Sequence, residues 1–228
     1  MLAKKKKLSR KKIKEDKLVS LYYKSYNYFY DNKAKLIGYG IGILIVAAAV
    51  VFYINYRVAD NQTAGVELSQ MMNYYDNGSY LEAIEGKVGT NIVGLKKIVE
   101  KYGSTEKGEI AKIYLANSYN RLGEYDEALK YYEDYDGDTD MYKATALAGE
   151  AGIYAGKKQY LKAANLYKEA ASVTKYNVLN PDYLMQAGIN YLAVNLIKEA
   201  KQAFQKIRED YHSSSAARNL TQYLALLD

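Results

Sequence analysis

Apolar residues are unevenly distributed along this chain. From Leu36 to Tyr56, "LIGYGIGILIVAAAVVFYINY", 21 positions pass without one charged side chain. At about 1.5 Å per residue a helix of that length crosses roughly 30 Å of hydrocarbon. The run therefore predicts a transmembrane anchor at 36–56. Core helices seldom stay apolar for so long, and the apolar part of a signal peptide is about 7–15 residues followed by a small-residue cleavage triplet. The downstream "RVADNQ" contains no such triplet, so the expectation is an uncleaved anchor. Upstream, Leu18, Leu21, Tyr22, Tyr26 and Phe29 recur at helical spacing, which fits a short interfacial helix or an ordinary juxtamembrane segment within 1–35. Beyond a linker at 57–67 the apolar positions return every three or four residues, interrupted by one proline, Pro181. That period predicts helix after helix and an all-α fold.

Charge adds a direction. Residues 1–35 carry twelve Lys or Arg against Glu15, Asp16 and Asp31, a balance of +9, whereas residues 58–228 carry nineteen against twenty-three, a balance of −4. Segments that flank a spanning helix keep Lys and Arg on the cytoplasmic side. The amino terminus is thus expected in the cytoplasm and the carboxyl-terminal part across the inner membrane, in a periplasmic space if the cell is bacterial. The run "KKKKLSRKK" also has the composition of a phosphate-binding patch. It holds no aromatic stacking platform, and beside an anchor the attraction of anionic headgroups accounts for it more simply. Nucleic acid is not expected as a partner.

The anchor contains Gly38, Gly40 and Gly42. No soluble strand precedes them, so they do not read as a dinucleotide loop. Gly38 and Gly42 form a small-xxx-small pair that lets a second transmembrane helix approach. The chain has no cysteine, which removes disulfides, thiol catalysis, cysteine-ligated metals and lipoprotein anchoring.

Self-similarity organises the remainder. "YLANSYNRLGEYDEALKYYEDY" at 114–135, "AGEAGIYAGKKQYLKAANLYKEAA" at 148–171 and "LMQAGINYLAVNLIKEAKQAFQKI" at 184–207 share one pattern. A helix is followed by a short polar or glycine break, then by a second helix opening on an aromatic or aliphatic residue with an alanine three positions later. "MMNYYDNGSYLEAIEG" at 71–86 is a fainter copy. Ala83, Ala128, Ala163 and Ala200 lie 45, 35 and 37 residues apart. This pattern resembles the tetratricopeptide-repeat family, whose period is about 34 residues, over 68–212. Tyr119, Gly123, Tyr125, Ala128 and Tyr132 fall on the family's consensus sites. In the fourth copy Ala187, Gly188 and Tyr191 fit, while Asn195 and Ile197 replace the usual turn glycine and aromatic. In the first copy "EGKVGTNIVG" interrupts the second helix before "LKKIVEKYG" resumes it.

The resemblance implies an α-solenoid in which the small alanines let paired helices approach, Tyr132, Tyr167 and Phe204 fill the groove against the next helix, and 213–228 caps the last repeat through Leu220, Leu224 and Leu227. It also implies partner contacts along the first helices, at Tyr114, Asn117 and Arg121 in the second copy and at Met185 and Gln186 in the fourth. A carboxylate clamp of the kind some relatives use is disfavoured, because the family's lysine position holds Ile113 and the matching basic sites of the fourth copy hold Asp182 and Gln186. The third copy presents Ala148, Gly149, Gly152 and Gly156, a smooth face suited to close packing.

Nothing in the sequence points to catalysis. His212 sits in the polar "REDYHSSS" with no partner of catalytic type, and the carboxylates of Asp134–Asp140 lack EF-hand spacing. Neither a cofactor nor a metal is expected. The layout as a whole, with basic tail, single anchor and short exported repeat domain, resembles the YfgM-like ancillary subunits of the bacterial Sec translocon. That resemblance implies a membrane-tethered, protein-binding scaffold whose partners are translocon subunits, periplasmic chaperones or newly exported chains. Two other readings stay open: a scaffold for a cell-wall, division or outer-membrane assembly complex, and an organelle import receptor with its repeats in the cytosol.

Overall fold

The computed structural model describes residues 10–224. The lysine run Lys4–Lys7 and the expected capping contact of Leu227 lie outside the described residues. Within them the chain is all-helical, with an isolated β-bridge between Gly86 and Val93 as an exception. It divides into two compact units, Met1–Tyr56 and Arg57–Asp228. The first helix, α1 (Arg10–Asp76), contributes to both.

In the first unit the apolar run is long and apolar enough to cross a membrane, and none of it is buried. Leu36 is half-buried and every residue from Ile37 to Tyr56 is exposed. An apolar surface on all sides suits lipid and would be unfavourable in water. The juxtamembrane stretch does not form a separate interfacial helix, because α1 runs through it unbroken. No proline lies there and the first glycine is Gly38, so nothing in 10–37 interrupts the backbone hydrogen bonding. Its tyrosines stack along one face, with Tyr22, Tyr26 and Tyr30 at centroid separations of 6.2 and 6.1 Å.

In the second unit the linker expected at 57–67 is helical instead. Ala64, Leu68 and Met71 recur at i, i+4 and i+7 and are buried in the first core, so this part of α1 is held by its own apolar stripe. Arg57 hydrogen-bonds Ser104, and the Asn61 side-chain Oδ1 accepts the Lys107 amide at 2.8 Å. Nine shorter helices follow among the described residues: α2 (Tyr80–Glu85), α3 (Leu95–Tyr102), α4 (Glu106–Leu122), α5 (Tyr125–Glu133), α6 (Asp140–Gly156), α7 (Tyr160–Val173), α8 (Asn180–Ala193), α9 (Ile197–Asp210) and α10 (Ser215–Leu224). The bridge between Gly86 and Val93 closes the insertion between α2 and α3.

Neighbours in sequence from α2 to α10 pack against one another, α4 also touches α6, and α8 touches α10. Short connections favour this, from two residues between α4 and α5 to nine between α2 and α3, because they leave the next helix little room to go elsewhere.

One turn recurs four times. Gly78, Gly123, Lys158 and Asn195 have φ of +76°, +81°, +60° and +59°. The residue after each donates its amide to a tyrosine carbonyl, from Ser79 to Tyr74, Glu124 to Tyr119, Gln159 to Tyr154 and Leu196 to Tyr191, at 2.8–2.9 Å. The same four residues then accept the amides of Ala83, Ala128, Ala163 and Ala200. Each first helix thus ends in a left-handed residue and each second helix starts beneath a fully buried alanine. Asn195 fills the left-handed position in place of glycine because its short polar side chain tolerates that conformation.

The cores interlock large rings with missing side chains. A Cβ on Gly188 would lie 2.2 Å from Phe204 Cε1, and one on Gly149 would lie 2.3 Å from Tyr132 Cζ. Phe204 and Tyr132 are 0% and 2% exposed. Tyr167 is half-buried, with its hydroxyl beside Gly152. At the end of the chain Ala216 and Leu220 of α10 are buried, Leu224 is half-buried, and the Tyr223 ring lies 5.7 Å from that of Phe204.

Candidate partner-binding surface

A row of half-buried tyrosines crosses the second unit. Tyr75, near the end of α1, meets Tyr114 of α4 edge to face at 4.9 Å and 79°, and Tyr114 meets Tyr142 of α6 at 6.5 Å and 65°. Tyr80 extends the row, 5.7 Å from Tyr75. Edge-to-face contacts align ring quadrupoles and add to the burial of the rings. Burial pushes the Tyr114 hydroxyl up to about 12, helped by the neighbouring Tyr142 phenol. Burial also raises Tyr75, partly opposed by a hydrogen bond to Asn117. Tyr75 and Tyr114 therefore stay neutral and donor-capable at physiological pH.

The expected contact residues divide. On α4, Tyr114, Asn117 and Arg121 share one face at i, i+3 and i+7. Tyr114 belongs to the row. Asn117 is half-buried and occupied, its carbonyl oxygen accepting the Tyr132 hydroxyl at 2.5 Å. Arg121 is exposed one turn further along. On α8 the two candidates point differently: Gln186 is exposed, whereas Met185 is 7% exposed and packs in the second core. Their spacing explains this, because adjacent helical positions are about 100° apart and cannot both face a partner. In the first unit Gly38 and Gly42 are exposed, with nothing within 4 Å of an added Cβ. Among the repeat positions Tyr119 is buried and Tyr125 is exposed.

Three features escaped the sequence reading. Tyr75, Tyr80 and Tyr142 complete the row around Tyr114. The doublet Tyr74-Tyr75 was the available signal, since Tyr74 supplies the turn carbonyl and the next residue projects from another face. Second, Lys112 is buried and donates to Glu109 Oε1, to the Asp134 carbonyl and to Asp134 Oδ2, each at 2.9 Å. Glu109 Oε2 in turn accepts the Asp136 amide at 3.0 Å. The acidic 134–140 segment is thereby fastened to α4. Burial works against the Lys112 charge, but the hydrogen bonds it donates to the Asp134 and Glu109 carboxylates prevail and its pKa is raised. Third, a cavity of about 350 Å³ opens between α7 and α9 over Leu184, Tyr191 and Ala203, rimmed by Lys168, Glu169 and Lys206. It lies apart from the row and holds none of the expected contact residues.

No family model, curated protein or solved structure matches the chain. Its chemistry is therefore argued from its own geometry. His212 is exposed, and among the described residues no group of three or more His, Asp or Glu is placed to hold a metal ion. The row and Arg121 together offer flat aromatic area, phenolic donors and a guanidinium. Those are groups that grip protein surfaces.

Proposed function

We propose that this chain is a membrane-tethered, non-catalytic scaffold. Residues 36–56 anchor it in the inner membrane with the amino terminus in the cytoplasm, and the second unit is a tetratricopeptide-repeat solenoid, capped by α10, that binds proteins on the periplasmic side. The fourfold turn with its buried alanines supports the repeat reading, and the lysine asymmetry around the anchor supports the orientation. The observation that carries the protein-binding reading is the Tyr75–Tyr114–Tyr142 row edged by exposed Arg121. Tyrosine and arginine are enriched at binding hot spots, tyrosine through area and a hydroxyl at low conformational cost, arginine through a planar fork of donors. Within this reading the partners are translocon subunits, chaperones or exported chains next to the Sec channel, and no cofactor takes part.

Photo-crosslinkers placed in living cells at Tyr114, Arg121 and Gly42 test the proposal. Capture of translocon subunits from Gly42 together with chaperones or exported chains from Tyr114 and Arg121 is expected. Capture only of cell-wall or outer-membrane assembly proteins at those three positions would replace export by envelope scaffolding.

A further inference from the structure

The connection between α7 and α8 presents an apolar tip. Tyr176 and Val178 are 81% and 82% exposed, and Leu179 is 43% exposed. They occupy three of four consecutive positions, and Lys175 sits beside them with its Nζ 4.9 Å from the Tyr176 ring. The loop is built to hold this display. Asn177 points inward, 4% exposed, and its carbonyl oxygen accepts the Leu179 amide at 3.0 Å. Asn180, fully buried, donates from its amide to the Thr174 carbonyl at 2.7 Å and to the Tyr211 hydroxyl at 3.2 Å. A surface loop that fixes its own geometry with two buried asparagines while exposing three apolar side chains presents them as a defined display.

We propose that this tip docks into the headgroup region of the bilayer that the chain itself spans, an inference that rests on the anchor reading above. The tip projects, so it inserts rather than receives. It is also too small for a specific protein interface, which needs about 800 Å² from each partner. A bilayer asks for less. Valine and leucine enter the acyl boundary, tyrosine prefers the headgroup level, and a lysine stem lies along apolar surface with its ammonium among lipid phosphates.

The chain has no tryptophan, so Tyr176→Trp introduces a single reporter into the full-length protein. Reconstituted in vesicles of phosphatidylethanolamine and phosphatidylglycerol with bromine near the headgroup, this variant is expected to lose most of its emission. Adding Val178→Asp and Leu179→Asp should restore the emission without changing the helical melt. A second full-length variant, Leu44→Trp, reports on the anchor with bromine deep in the chains. Quenching at Leu44→Trp without quenching at Tyr176→Trp would overturn the tip proposal and leave the anchor intact. Quenching at neither would remove the anchor and the proposal together. Quenching at Tyr176→Trp that survives the two aspartates would also overturn it, as would a Val178 crosslinker that captures one protein in cells while the vesicle signal stays absent.

Discussion

Glycine means opposite things in the two units. In the first, Gly38, Gly40 and Gly42 face open space, and an added Cβ would touch nothing within 4 Å. In the second, a Cβ on Gly149 or Gly188 would run into the ring of Tyr132 or Phe204 at 2.3 or 2.2 Å. The tyrosines follow suit. Those of the anchor region stand exposed, whereas Tyr119, Tyr132 and Tyr191 are buried. Both units are rich in small and aromatic residues, so composition does not separate them. What separates them is cover: the second unit supplies partner helices for its apolar face and the first leaves its apolar run uncovered.

That contrast is open to attack by mutation, with the largest effect expected at the most covered ring. Phe204→Ala empties a fully buried position and should destabilise the fold by about 3–5 kcal/mol in a denaturant melt. Next, Lys112→Met strands the buried Glu109 carboxylate and should cost about 3 kcal/mol, most of which returns when Glu109→Leu is added. Gly188→Ala follows. Helix propensity favours it by about 1 kcal/mol, but overpacking against Phe204 costs roughly 1–3 kcal/mol, so a modest net loss is expected. The same change at Gly42 should leave the melt of the second unit unmoved, and a loss there comparable to that at Gly188 would erase the distinction between the units.

The smallest effect depends on pH. Burial, followed by the nearby Glu133 carboxylate and partly offset by Lys162, raises Glu150 to about 7 from 4.5. A carboxyl with a raised folded pKa weakens the fold once ionised, so the penalty is absent below about pH 4.5, grows through pH 7 and then levels off. Because Glu150 is only half-buried, solvent screening limits the effect to about 1 kcal/mol. Glu150→Gln should therefore raise the melting temperature at pH 8 and leave it unchanged at pH 4. A gain of equal size at both would show that the carboxylate charge is not the cause.

The helical class and the long apolar run at 36–56 were legible in the sequence, because each rests on a local period. Helix limits around the anchor were not. The linker expected at 57–67 proved helical because Ala64, Leu68 and Met71 find a core that only the folded second unit provides. The tyrosine row was half legible. Tyr114 lay at a recognisable helical position, while Tyr75 and Tyr142 join it across 39 and 28 residues of sequence, where periodicity carries no information. Met185 and Gln186 share one expected contact site by sequence position, yet the step from one residue to the next passes from a buried face to an exposed one.

The central claim is that residues 36–56 place the basic tail and the second unit on opposite sides of a membrane. The absence of cysteine makes the test direct, since Ser20→Cys and Ser69→Cys each create one thiol at an exposed position. A membrane-impermeant maleimide applied to spheroplasts should label Ser69→Cys at once and Ser20→Cys only after the membrane is opened. Equal labelling of both in intact spheroplasts would contradict the spanning anchor.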